Sequence, residues 1–368
     1  MKTLNLPSYH VLINAKTESP VNGIVVHLVI LLIFDFPLST PQMNNSRRKD
    51  MKKWLKISLL IIAIIVPLAL VGGSFYMLEY SLGRPTHFQM DEKTRYAHVM
   101  NTHPEIKPWL DSLLTHHLLH DTVVTMQNGE QHFGVFAYAP QPSRKTAILL
   151  HGYTDTHANM MMIAHIYAKM GYNVLLPDHH AHGQSEGKRI QMGWKERKDV
   201  LRWMAIADSL FSDSLGHSEQ VVHGISMGAA LTMCVSGERT PDYVKCFVED
   251  CGYTSVWDEF ENELKVQFGL PAFPLLYTAS VLNKLRDGWS FQEASPLRQV
   301  AKCHKPMLFI HGDKDSYVQT KMVYPLYKAK PAPKQLWIGK GSKHAESYQD
   351  HRKEYSELVR NFVSQYIH

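Results

Sequence analysis

Residues 220–235 read Gln220-Val221-Val222-His223-Gly224-Ile225-Ser226-Met227-Gly228-Ala229-Ala230-Leu231-Thr232-Met233-Cys234-Val235. A short β-branched run leads into a G-x-S-x-G pentapeptide, and a helix-like run follows it. In that context a serine sits on a tight strand-to-helix turn, whose strained backbone projects the hydroxyl outward. Gly224 and Gly228 let the strand and helix approach closely, and the helix N-terminus favours negative charge that develops beside it. Ser226 is therefore the candidate nucleophile.

Outward from this turn, short apolar runs alternate with amphipathic stretches. The runs are HFGVFAYAP (132–140), AILLHG (147–152), NVLLPD (173–178), QVVHG (220–224), KCFVED (245–250), PMLFIHG (306–312) and QLWIG (335–339). Helix-length segments such as His157–Met170, Trp194–Leu210 and Val318–Lys328 separate most of them. Such alternation predicts an α/β fold with a mostly parallel sheet covered on both faces. The first two runs, with no helix between them, predict an antiparallel start. Between Asp250 and Pro306 the alternation stops, and Val256–Phe268 and Leu275–Leu285 read as helices. A helical cap over about 253–296 is expected there.

A neutral serine needs a base, and the base needs an orienting acid. On this kind of sheet the order along the chain is Ser, then Asp or Glu, then His. The loop after PMLFIHG offers Asp313 and Asp315, and the loop after QLWIG offers His344. Asp315 fits the spacing better, Asp250 is a third candidate acid, and His351 is an alternative base. Acyl transfer also needs fixed donors where an oxyanion forms. The backbone N–H groups of Met227 and Tyr153 are the expected pair, with Gly152 permitting close approach. The Tyr153 ring is read as pocket wall, extra hydroxyl donor or plain packing.

HGYTD, PDHHAHGQSEG, GISMG, HGDKDSYV and GSKHAES occur in this order over about residues 120–366. Together they resemble the α/β-hydrolase superfamily, in particular bacterial membrane-anchored or secreted serine-peptidase-like and esterase-type members. The resemblance implies Ser226, Asp315 and His344 as a triad, and Tyr153 and Met227 as oxyanion donors. It departs at Asp178-His179-His180-Ala181-His182-Gly183-Gln184-Ser185, where many relatives read D-x-R-G-H-G-x-S. Loss of that arginine removes an ion pair and leaves the loop's conformation open.

The reaction expected first is hydrolysis of a small carboxylic ester. Cleavage of short peptides, as in a serine peptidase or aminopeptidase, is the alternative. That would ask for acidic side chains to grip a free amine, and Asp258, Glu259, Glu261 and Glu263 stand in the cap stretch. An acyltransferase and a non-catalytic binding module rank behind. The chain has 22 histidines, with clusters at His116, His117 and His120 and at His179, His180 and His182. These are read as solvated loop residues, and neither a metal nor a cofactor is expected.

The formal charge of +5 is local. Arg47, Arg48, Lys49, Lys52, Lys53 and Lys56, offset by Asp50, supply all of it, and after Lys56 31 basic residues face 31 acidic ones. A nucleic-acid partner, which would need excess charge on the folded domain, is not expected. Immediately after the basic cluster, Ile57–Met77 carries no charged residue. About 20 apolar residues cross a bilayer core as a helix. The positive-inside rule then puts the N-terminus in the cytoplasm and residues from about 80 onward outside. Secretion after signal cleavage is the competing reading.

The expected organisation is an upstream extension or tail (1–50), basic flank and anchor (51–80), stem (81–120) and hydrolase domain (121–367). Gly23–Phe34 is apolar but short for a second span. Cys246 and Cys251, roughly 16 Å apart along a strand, are beyond disulfide reach. The four cysteines read as buried free thiols.

Overall fold

The computed structural model describes residues 45–84 and 91–368. The readings made for residues 1–44, including Gly23–Phe34, lie outside them. Two compact units divide the chain, residues 1–69 and 70–368. Helix α1 (Asn45–Leu82) is long and apolar enough to cross a membrane.

The second unit is built on eight strands: β1 (His120–Thr125), β2 (Gln131–Ala137), β3 (Lys145–Leu150), β4 (Asn173–Pro177), β5 (Glu219–Ile225), β6 (Val244–Asp250), β7 (Met307–Gly312) and β8 (Lys334–Gly339). They lie in the order β1-β2-β4-β3-β5-β6-β7-β8. The pairs β1–β2 and β2–β4 are antiparallel, and the rest are parallel. The sheet does begin antiparallel, as expected, but through different partners. β2 pairs with the unexpected edge strand β1 and with β4, while β3 lies beyond β4.

Successive side chains of a strand face opposite sides of a sheet, and the core follows that period. On β3, Ala147 and Leu149 join one hydrophobic cluster, while Ile148 and Leu150 join the other. On β7, Leu308 and Ile310 face one side, and Met307 and Phe309 the other. One face is covered by α2 (Glu92–Thr102), α3 (Lys107–Thr115), α4 (Met161–Lys169) and, near the end of the chain, Arg352–Val363. The other is covered by α5 (Arg197–Phe211), α6 (Met227–Ser236) and later by Val323–Ala329. In α5, Val200, Trp203, Met204, Ala207 and Phe211 are buried at helical spacing, so one stripe faces the sheet. All of α6 is buried, which explains its lack of charged residues.

Past β6 come the cap helices α7 (Val256–Phe268) and α8 (Leu275–Asp287). The Ser255 hydroxyl accepts from Asp258 N–H at 3.0 Å, and Gly269, with φ +66°, ends the helix. These signals fix both limits of α7. A third apolar cluster joins Val256, Leu264, Leu276, Trp289 and Phe291 to Leu78 and Leu82, from the last turns of α1. Ile190 N–H donates to the Leu82 carbonyl at 2.7 Å, and Arg286 pairs with Glu79. Leu78 and Leu82 are each 1 % exposed, so the core of the second unit begins inside the stretch read as anchor and stem.

All four cysteines are free and buried.

Candidate active site

Ser226 occupies the junction of β5 and α6 with φ +57° and ψ −119°. For a residue with a Cβ this is a sparsely populated conformation, costing on the order of 1–3 kcal/mol. Surrounding contacts hold it there. Ser226 N–H donates to the Asp250 carbonyl at 2.8 Å. A Cβ at Gly224 would stand 2.0 Å from the Gly228 carbonyl oxygen, and one at Gly228 would stand 2.0 Å from that of Leu150. No side chain fits at either position.

Loops at the ends of β7 and β8 bring two further groups to Ser226. Ser226 Oγ lies 2.8 Å from His344 Nε2, and His344 Nδ1 lies 2.8 Å from Asp315 Oδ2. Asp313 is turned elsewhere, accepting from Gly341 N–H at 2.6 Å. Asp250 accepts from the Tyr355 hydroxyl at 2.9 Å. His351 Nε2 lies 2.9 Å from the Lys340 carbonyl. Of the candidates left open by the sequence, the geometry unites Ser226, His344 and Asp315.

Burial alone would raise the Asp315 carboxyl, but hydrogen bonds from His311 and His344 hold it below the ordinary carboxylate range. His311 was not singled out in the sequence. Its Nε2 lies 3.3 Å from Asp315 Oδ2 and 2.9 Å from the Val318 carbonyl. Tyr317 was missed as well: its N–H donates to Asp315 Oδ1 at 3.0 Å, and its ring centroid is 5.0 Å from that of His344. Neither follows from spacing, because both depend on how the loop after β7 folds back.

Gly152 passes beside the serine, since a Cβ on it would stand 3.5 Å from Ser226 Cβ. Among the described residues, the backbone N–H groups of Tyr153 and Met227 donate no hydrogen bond. For Met227 this follows from its place at the start of a helix. The Tyr153 hydroxyl donates to the Ser81 carbonyl at 2.8 Å. It is thereby engaged with α1 and is no extra donor to the site.

The loop after β4 corrects the expectation of solvated histidines. His179, His180 and His182 are all buried. His151 and His179 stack at 3.9 Å, and Thr154 N–H donates to His182 Nε2 at 3.2 Å. Burial pushes His179 down to about 3 and His182 to about 4. A neutral His182 can offer Nε2 as the acceptor that Thr154 requires.

In the cap, Glu259 is buried, and neither of its carboxylate oxygens has a hydrogen-bond partner. Burial, then Glu263 and Asp315, push its carboxyl well above the ordinary range. Glu263, one turn further along α7, is raised by burial and lies near enough to His344 to feel its charge.

Residues 141–256 match the model of the family described as serine aminopeptidase, S33. The chain is 34% identical over 226 residues to YqkD of Bacillus subtilis (strain 168), described as uncharacterized. That match covers 61% of this chain and 73% of the relative. Among solved structures, the Pyrococcus furiosus esterase Pf2001 is similar, with TM-score 0.55 and 25% identity over 68% of this chain and 92% of that one. The Pyrococcus horikoshii acylaminoacyl peptidase shares the fold at 15% identity, with TM-score 0.51 over 68% of this chain and 42% of that one. With its mostly parallel eight-stranded sheet, its serine on the strand-to-helix turn and these relatives, the chain belongs to the α/β-hydrolase superfamily.

Proposed function

We propose that this hydrolase cleaves a carboxylic ester through an acyl-enzyme, with Ser226 as nucleophile, His344 as base and Asp315 as the orienting acid. The observation that carries the reading is the hydrogen-bonded line from Ser226 Oγ through His344 to Asp315, 2.8 Å at each step. As Oγ attacks the carbonyl carbon, His344 Nε2 takes its proton. The tetrahedral oxyanion meets the N–H groups of Met227 and Tyr153, and the α6 N-terminus adds a favourable dipole. His344 then gives the proton to the departing alcohol and draws one from water to release the acid. Asp315, kept ionised, fixes the tautomer and stabilises the imidazolium.

A second reading is cleavage after an amine-bearing residue, as in an aminopeptidase. It is favoured by Glu259 and Glu263, acidic groups close enough to Asp315 and His344 respectively to feel their charge, and without a salt-bridge partner among the described residues. A fluorophosphonate probe should label Ser226, and peptide mass spectrometry should find no adduct in a folded Ser226→Ala variant. A folded wild-type protein that stays unlabelled would refute the activated serine. Comparing p-nitrophenyl acyl esters with aminoacyl anilides then separates the two readings. Preference for anilides with a free amine, lost in Glu259→Gln, would favour the peptidase.

By the same reading α1 anchors the enzyme in a membrane, with the cytoplasmic side marked by Arg47–Lys56. Protease added to intact spheroplasts should digest the catalytic unit, and protection would refute this orientation.

A further inference from the structure

Apart from the triad, two histidines and a carboxylate converge beneath the β1–β2 turn. Glu130 Oε2 lies 2.7 Å from His180 Nδ1 and 3.4 Å from His132 Nε2, and the three atoms all lie within 4.8 Å of one another. Zinc takes nitrogen and oxygen ligands at about 2.0–2.1 Å, so tetrahedral neighbours stand roughly 3.3 Å apart. The spacing seen here needs only small adjustments to admit an ion. His132 is 0 % exposed and His180 is 8 % exposed.

The outer ring of groups points the same way. His132 Nδ1 is buried without a hydrogen bond, 3.8 Å from Asp199 Oδ2. His180 Nε2 lies 3.2 Å from the Gln191 amide nitrogen, while Gln191 Oε1 is buried without a partner. A cation held by His132 Nε2 and His180 Nδ1 would leave the ring protons on His132 Nδ1 and His180 Nε2. The first would then face Asp199, and the second would face Gln191 once its amide oxygen and nitrogen exchange places. Both orphaned atoms gain partners in the arrangement usual for metal-bound histidines, whose second nitrogen donates to a carboxylate or carbonyl.

We propose that Glu130, His132 and His180 bind a divalent cation of the Zn²⁺ class, with water as the fourth ligand. The ion would clip the β1–β2 turn to the loop that carries His182, and so steady Thr154, two residues along from the Gly152 that abuts Ser226. His180 stands where the superfamily resemblance expects arginine, so a metal clip here takes the place of an ion pair.

The test uses the full-length protein in detergent, stripped with a chelator and titrated with Co²⁺ and then Zn²⁺. One Co²⁺ per chain should bind with the intense visible absorption of a tetrahedral site, and Zn²⁺ should displace it. His180→Arg gives Glu130 a hydrogen-bonding partner but offers no lone pair, so it should stay folded and lose the band. Asp199→Asn should weaken binding by roughly 10–100-fold. A folded wild-type protein without the band, or a band that persists in His180→Arg, would overturn the site and leave Glu130–His180 as a plain hydrogen bond. Should His180→Arg not fold, Glu130→Gln serves as the second variant, and an unchanged band in it has the same overturning meaning.

Discussion

Replacing Asp315 by Asn tests the proposed triad at the member whose identity the sequence left open. The amide keeps the shape of the carboxylate but cannot accept at both ends. His311 and His344 both point at Asp315 Oδ2, at 3.3 and 2.8 Å, and Tyr317 N–H occupies Oδ1. With the Tyr317 bond kept, the amide nitrogen faces His344 Nδ1 and donates to it. The imidazole must then carry its proton on Nε2, the atom that has to accept from Ser226. In serine proteases the equivalent exchange lowers kcat by roughly 10⁴, which corresponds to about 5.4 kcal/mol of transition-state stabilisation. The same loss is expected here in p-nitrophenyl butyrate hydrolysis and in the rate of fluorophosphonate labelling. Asp313→Asn and Asp250→Asn should each stay within about tenfold of wild type, or about 1.4 kcal/mol, because their carboxylates bond Gly341 and Tyr355 instead. A folded Asp315→Asn protein keeping a tenth or more of its activity would refute this assignment, as would an Asp250→Asn loss of equal size.

Leu82→Ala removes a buried side chain from the cap cluster and should destabilise the catalytic unit by about 2–5 kcal/mol; an unchanged midpoint in urea would contradict its place in the core. His182→Ala withdraws the acceptor from Thr154 N–H and should lower kcat roughly tenfold, about 1.4 kcal/mol, with KM little changed, which steady-state kinetics would show. His223 lies between the Tyr167 and Tyr355 hydroxyls at 3.1 Å each, and burial pushes it down to about 3. Its folded value lies below the unfolded one, so only the unfolded chain takes up a proton between these values. Wild-type stability therefore drains away as pH falls from about 6.5, by up to about 1.4 kcal/mol per pH unit. His223→Gln should be less stable than wild type near neutrality by about 1–3 kcal/mol. The gap should narrow on acidification, and urea titrations that show a constant gap would reject the neutral, buried imidazole.

Much of the sheet was legible because its strands are buried on both faces and read as uninterrupted apolar runs. The cap helix α7 was legible for a different reason, since Ser255 and Gly269 mark its ends locally. Edge strand β1 escaped notice, as its largely exposed HDTVVT is mostly polar and its two valines make too short an apolar run. The exchange of β3 and β4 in the sheet order is a crossover, which no local pattern records. At the site, Ser226, Asp315 and His344 could be singled out because each follows a strand and the order along the chain is restrictive. His311 and Tyr317 could not, since their contacts arise from one loop's path. The histidines after β4 misled for the opposite reason: polar composition suggested solvent, and tertiary packing buried them. Hydropathy likewise gave the end of α1 to a membrane or a stem, although Leu78 and Leu82 are apolar for the sake of the core.

That last point bears on how the protein, if anchored as proposed, could be shed from a membrane. Residues 74–82 supply Leu78 and Leu82 to the interior, the Ser81 carbonyl to Tyr153, and a buried Ser74 against the Leu275 carbonyl. A leader peptidase cutting just after Met77 would leave Leu78 as a fraying new N-terminus and would discard Ser74 altogether. Any scission that frees an intact enzyme has to fall upstream of Ser74, within the apolar stretch itself. On the anchor reading proposed above, tether and fold share residues, and only a cut within the hydrophobic segment, upstream of Ser74, releases the chain.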